Sequence, residues 1–412
     1  LDANMKKTLF ASLALFATIA LAGTPAENAI QKAQAGLKAH PNHVPYLNSL
    51  AMAYARRARE TSNVDYYSKA EETLKQALAA APGNFEALKV QAWLQLGRHE
   101  FANALETATR LNKQTPDDVT VYGYLVDANV ELGNYADAIK AAQWMLNLKP
   151  GNVAGLTRAA YLRELHGRLP GAMELMQSAY DSTPFSETED RAWLLTQMSH
   201  LSFVSGDLAK AEMFATGALG VFPNYHYAQA ALARVRSAQN RHEEAAALLQ
   251  QRYAAAPHAE NQYAWAEELA LAGRKEEAAK AFAEFERKSL AESMLGDNSN
   301  HELIAYYIDH ARQPAKALEI AKREIARRQD VFTRDCYAWA LAANGEYEQA
   351  DVEIQKALQI GVKDPKLLYH AGAIAHHLNR PEQAAAYLKD AAGRYSSEAA
   401  ALLREQSQTA AR

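Results

Sequence analysis

Val119 to Pro150 reads VTVYGYLVDANVELGNYADAIKAAQWMLNLKP. Its apolar residues fall into two sets. Tyr122, Leu125, Val126 and Ala128 form the first, and Ala138, Ile139, Ala142, Met145, Leu146 and Leu148 the second. Spacings of three and four place each set on one face of a helix. Between them stands Leu132-Gly133-Asn134-Tyr135, where Gly133 can take the positive φ that ends a helix. Lys149-Pro150-Gly151 stops the second set, because proline cannot continue a helix. The stretch is therefore two short helices and a tight turn. A single such pair leaves apolar surface uncovered on both sides, so it predicts neighbours of the same kind.

The neighbours recur outward from it. Prolines close successive units at Pro41, Pro82, Pro116, Pro150, Pro184, Pro223 and Pro257, with gaps of 41, 34, 34, 34, 39 and 34 residues. A period of about 34, with insertions in two units, is the signature of a stacked helical array. Leu125, Gly133, Tyr135, Ala138 and Pro150 resemble the tetratricopeptide-repeat (TPR) family. That resemblance covers nearly the whole chain and implies an all-α, right-handed solenoid of about ten helix-turn-helix repeats with a capping helix at each end.

The expected organisation is a signal segment with a short N-terminal extension at 1–22 and a capping helix at 24–41. A first block of about seven repeats follows at 42–297, a second of about three at 298–396, and a C-terminal helix and tail at 397–412. The helices of repeat one are expected at about Val44–Arg59 and Asp65–Ala80, with seven extra residues near Arg56 to Asn63 that lengthen the turn between them and make it basic. Asn240 takes the turn-glycine position of repeat six, since asparagine also tolerates the left-handed conformation. Gly296 to Asn300 is expected as the weak joint between the blocks.

Composition agrees with a packed helical chain: 49% hydrophobic, 22% charged and a net charge of −4. The slight acidity argues against a general nucleic-acid binder, which needs a basic face. Met5-Lys6-Lys7, the apolar run Leu9 to Leu21 and the small-x-small triplet Ala20-Leu21-Ala22 resemble a cleaved bacterial secretory signal. They imply a periplasmic mature protein with no membrane span. Cys336 is the single cysteine, so neither an internal disulfide nor a cysteine zinc site is available.

No catalytic pattern emerges. His301-Glu302-Leu303-Ile304-Ala305 begins like a zincin motif but places alanine where the second histidine is needed. His370 and His377 share a helix face about 10 Å apart, too far for one ion without a third ligand, and leave a metal carrier as a remote reading. The expectation is a non-enzymatic scaffold without cofactor. Its partner is a protein or extended peptide, with a polysaccharide as the alternative.

The family resemblance implies that the first helix of each pair lines the ligand groove. Carried onto this sequence, the groove positions are Asp127 in repeat three, Tyr161 with Glu164 in repeat four, and Trp193, Thr196, His200 and Phe203 in repeat five. Tyr227 and Arg234 follow in repeat six, Tyr263 and Glu267 in seven, and Tyr306 and Asp309 in eight. Phe332, Asp335 and Trp339 belong to repeat nine, and Lys366 and Tyr369 to ten. The basic and amide set of the family's carboxylate clamp is missing from these positions. A groove so rich in aromatics and acids suits a basic or polar extended partner. On this reading Tyr263→Ala with Trp339→Ala abolishes binding and leaves helicity intact.

Overall fold

A computed structural model describes residues 23–61, 63 and 65–410. The signal segment expected at 1–22 lies outside them. Two units divide the chain, one comprising residues up to Ala87 with 186–188, the other residues 88–185 with 189–412.

The first unit holds α1 (Pro25–Ala39), α2 (Val44–Thr61) and α3 (Asp65–Ala80). Thr24 and Glu27 close a reciprocal capping box at the start of α1, which satisfies two backbone donors that a helix start leaves open. The buried Glu60 carboxylate, on α2, accepts from the Thr24 hydroxyl at 2.5 Å, the Ala26 amide at 3.0 Å and Arg57 at 2.8 Å. Arg57 also pairs with Glu27 at 2.5 Å. These bonds hold the end of α2, which runs to Thr61, two residues past the Arg59 expected from the sequence. The reason is non-local: the carboxylates that hold Arg57 include one from the preceding helix.

Repeat two contributes α4 (Phe85–Gly97) and α5 (Phe101–Gln114). The opening stretch of sequence forms α6 (Val119–Glu131) and α7 (Tyr135–Leu148), with Gly133 at φ 76° between them. Repeats four to six are α8 (Val153–Leu165) with α9 (Leu169–Ser182), α10 (Thr188–Val204) with α11 (Leu208–Val221), and α12 (His226–Ala238) with α13 (His242–Ala255). Asn240 sits at φ 60°, as its position requires. Repeat seven is α14 (Ala259–Leu271) with α15 (Lys275–Glu292). Repeat eight opens with α16 (Asn300–Ala305), runs into a π-type turn over Tyr306–His310 and closes with α17 (Pro314–Arg327). Then come α18 (Val331–Ala343), α19 (Tyr347–Leu358), α20 (Pro365–His377), α21 (Pro381–Ala392) and the terminal α22 (Ser397–Ala410). Alanine fills the closest helix crossings: Ala128, Ala138, Ala172, Ala211, Ala245 and Ala317 are all fully buried. None of the described helices is long and apolar enough to cross a membrane.

Within the second unit the array curls until it meets itself. The Gln329 amide donates to the Glu131 carbonyl at 3.0 Å, and the Val331 amide to the Tyr135 hydroxyl at 2.9 Å. Arg328 pairs with Glu131 at 2.8 Å. One repeat further on, Gly167 faces the Gly361 carbonyl so closely that a Cβ would stand 2.5 Å from its oxygen. One more repeat on, the Tyr395 hydroxyl donates to the Gly206 carbonyl at 2.7 Å, and Arg394 donates to the Val204 carbonyl. Turns of repeats three, four and five therefore dock on loops about 190 residues later in the chain. A single apolar core accordingly includes both Val126 to Leu165 and Ala246 to Ile374. It includes Phe285 and Leu303 on either side of the expected weak joint, where Asn300 donates to the Ser293 carbonyl at 2.9 Å and to buried Glu324 at 2.7 Å.

Candidate functional site

First helices of three consecutive repeats wall a cavity of about 370 Å³. α8 contributes Tyr161 and Glu164, and α10 contributes Thr196, Gln197, His200 and Phe203. From α12 come Tyr227 and Arg234, with Ala230 and Ala231 as a small-residue floor, and Phe332 of α18 closes one side. The local reason is periodicity. Residues three, four and seven apart on each first helix share its inner face, and the repeat brings the same positions of α8, α10 and α12 side by side.

A polar strip runs across the cavity wall. His200 lies 2.6 Å from Glu164 through Nε2 and 3.1 Å from Arg234 through Nδ1. Arginine can only donate, so Nδ1 accepts and Nε2 carries the hydrogen that reaches Glu164. The Arg234 guanidinium also stacks over the Phe203 ring at 4.1 Å, a cation–π contact that fixes its plane. Burial lowers the Arg234 pKa, with Asp364 and Glu164 only partly offsetting it. Among the described residues no carboxylate lies in salt-bridge contact with this guanidinium, which lines the cavity wall. Tyr161 and Tyr227 are each 37% exposed. Burial and the nearby acids Glu131 and Glu164 push the Tyr161 phenol well above its usual range, which keeps it a neutral donor.

Of the residues that the sequence placed in the groove, Tyr161, Glu164, Thr196, His200, Phe203, Tyr227, Arg234 and Phe332 meet in this cavity. Phe203 is nonetheless only 6% exposed and serves as the platform for Arg234. Asp127 is engaged by Arg158, at 2.8 Å and 2.5 Å, one repeat on. Trp193 packs, partly buried, on the apolar core between repeats four and six.

The others build a second, internally satisfied network. Tyr263, expected on the open face, is 5% exposed and packs on Phe282 and Phe285. Its hydroxyl donates to Glu267 at 2.8 Å, and Glu267 also meets His310 at 3.4 Å. Tyr306 stacks on Phe282 at 5.5 Å. Trp339 donates to Asp309 at 3.3 Å and lies flat on His370 at 4.2 Å. His370 is in turn held by buried Asp335 at 2.8 Å, and Tyr369 leans on Trp339 at 5.8 Å. The pairing of Tyr263 with Trp339 as open binding anchors is thus corrected: both are structural. His377 stacks on Tyr347 at 4.5 Å, so the two histidines tested for metal serve separate packing contacts. Among the described residues there is no cluster of three or more metal-ligating side chains.

Sequence reasoning missed Gln197, Ala230 and Ala231 in the wall, and missed Arg158, Glu131 and Arg328. The adjacent pair Ala230-Ala231 on a first helix was a usable sign of an open floor. The ion pairs had no such sign, because their partners lie a repeat or more away.

Comparison with known proteins agrees with the helix pairs. A tetratricopeptide-repeat family model matches residues 124–187. The human IFIT1 dimer with m7Gppp-AAAA is similar at 12% identity and a TM-score of 0.51, over 88% of this chain and 84% of that one. The same dimer with PPP-AAAA gives 13% identity and a TM-score of 0.50, over 88% and 86%. PilW, a type IV pilus biogenesis factor, gives 14% identity and a TM-score of 0.41 over 49% of this chain and 92% of that one. No curated protein matches the sequence. The sequence match at residues 124–187, the 34-residue period and the stacked helix pairs together show tetratricopeptide-type repeats in this chain, a scaffold of the kind suited to protein–protein interaction.

Proposed function

We propose that the chain is a non-enzymatic adaptor which holds an extended segment of a partner protein on its first-helix face. The observation that carries this reading is the cavity between α8, α10 and α12, with a guanidinium on its wall that has no directly bonded carboxylate among the described residues. An extended peptide brings backbone carbonyls every few ångströms, and the Arg234 guanidinium and the Tyr161 hydroxyl on the cavity wall can donate to them. The exposed faces of Tyr161 and Tyr227 supply rigid apolar contact at low entropic cost. The polysaccharide reading lacks its basis, because Tyr263, Phe203 and Trp339 are buried or stacked and present no ladder of open rings. The basic n-region, apolar run and small-residue triplet of residues 5–22 support export to the periplasm, with a mature chain from Gly23. N-terminal sequencing of protein recovered from the periplasm tests that.

Site-specific photo-crosslinking tests the binding face. A benzophenone amino acid at position 227 should trap a partner segment in the native host. The same group at the exposed Met213 on α11 should not. Equal trapping at both positions would remove the first-helix face as the site.

A further inference from the structure

We propose that the groove between α7 and α9 is a second docking surface, which takes an acidic amphipathic helix of a partner protein. The groove encloses about 280 Å³ and shares no lining residue with the first-helix cavity. Its floor is apolar, with Leu162 from α8 between Ile139 and Leu146 of α7 and Leu175 of α9. Ile139 is 44% exposed there, although the sequence pattern counts it with the buried set of its helix. The volume falls just under the range of about 300–1,000 Å³ usual for small-molecule pockets. It is sized for side chains rather than for a whole metabolite.

The rim supplies the charge. Arg163 and Arg168 both line the groove and both are exposed. Among the described residues neither has a carboxylate partner. Several other arginines are held by carboxylates: Arg158 by Asp127, Arg236 by Glu212, Arg274 by Glu277 and Arg334 by Glu353. The Arg163 Nη1 donates to the Gly171 carbonyl at 3.0 Å, which pins the guanidinium at the mouth. A short apolar floor under two uncompensated cations matches a helix with apolar residues at i, i+3 or i+4 and acids beside them. The rim charges select the sign of that helix and steer its approach.

The test uses the full chain and two fluorescent helical probes of about 18 residues with one apolar stripe. One carries glutamates beside the stripe and the other lysines. The glutamate probe should bind about tenfold or more tightly than the lysine probe, and added salt should narrow the gap. Arg163→Glu with Arg168→Glu should reverse the preference, and Ile139→Glu should abolish binding of both probes. Circular dichroism checks that these surface variants stay folded. No binding, no charge preference, or a preference unchanged in the double variant would overturn the proposal. Such a failure leaves the first-helix site untouched, since Arg234→Ala acts on the other cavity alone.

Discussion

Replacing Gly167 with alanine, beside Gly345→Ala as its reference, isolates the closure of the array on itself. Both glycines end a first helix in the left-handed region, at φ 69° and φ 81°. An alanine there costs about 1–2 kcal/mol for its Cβ alone, and that cost is common to the two variants. The surroundings differ. A Cβ at Gly345 has nothing within 4 Å, whereas at Gly167 it stands 2.5 Å from the Gly361 carbonyl oxygen. The contact is reciprocal, because a Cβ on Gly361 would stand 3.0 Å from the His166 carbonyl. Backbone meets backbone on both sides, so no side chain can rotate away. Relief requires the two layers to separate or the carbonyl to shift, at about 1–3 kcal/mol as for other overpacked sites. Urea unfolding followed by circular dichroism should therefore find Gly167→Ala less stable than Gly345→Ala by that amount. Amide exchange near Gly361 should quicken in the first variant alone. Equal losses, within about 0.5 kcal/mol, would refute closure at this level.

Three further outcomes follow from the same contacts. Tyr135→Phe keeps the ring but strands the Val331 amide, so it should cost about 1–3 kcal/mol and speed exchange of that amide about tenfold or more. Burial raises the Glu131 pKa from 4.5 to about 7, with Arg328 opposing the shift and Asp330 and Asp127 adding to it. Arg328 lies between two carboxylates, 2.8 Å from Glu131 and 2.8 Å from Asp330. A carboxyl whose folded pKa is raised binds its proton more tightly when folded. Its contribution therefore favours folding at low pH and falls as pH rises from about 4.5 to about 7. Glu131→Gln should flatten that part of the stability profile measured by urea unfolding across pH. Tyr263→Ala removes a buried ring and should cost about 3–5 kcal/mol. Thermal melting should show it as a lowered midpoint, with partner affinity at the first-helix cavity unchanged at temperatures where the variant is folded.

Fold and site were legible to different depths. The repeat was plain because its signals are local: Pro150 stops a helix, Gly133 turns one, and Ala138 lets two approach. Asn240 was read correctly for the same reason. The helix through Arg56 was placed to within two residues of its end at Thr61, but the contacts of Arg57 and Glu60 with Thr24 and Glu27 had no local signal. The closure was invisible because it is carried by backbone groups of Glu131, Gly167 and Gln329, whose chemistry is the same in every sequence. Tyr135 was recognised as a repeat mark, yet the role of its hydroxyl depends on Val331, in another layer. At the site, repeat positions brought Tyr161, His200, Tyr227 and Arg234 together correctly, since helix periodicity alone sets their common face. They failed at Tyr263, where Phe282 and Phe285 of the paired helix cover the ring. Position within a repeat predicts the direction of a side chain, but whether a neighbour covers it depends on that neighbour's size.

The most direct test of the adaptor reading is quantitative affinity purification of the chain from Gly23 onward, from its own host. Wild type is compared with Tyr161→Ala/Arg234→Ala and with Met213→Ala. Anchors of this kind are worth about 2 kcal/mol or more each. The account predicts one protein enriched with wild type and with Met213→Ala, and lost from the double variant. A partner set that is the same in all three would contradict it.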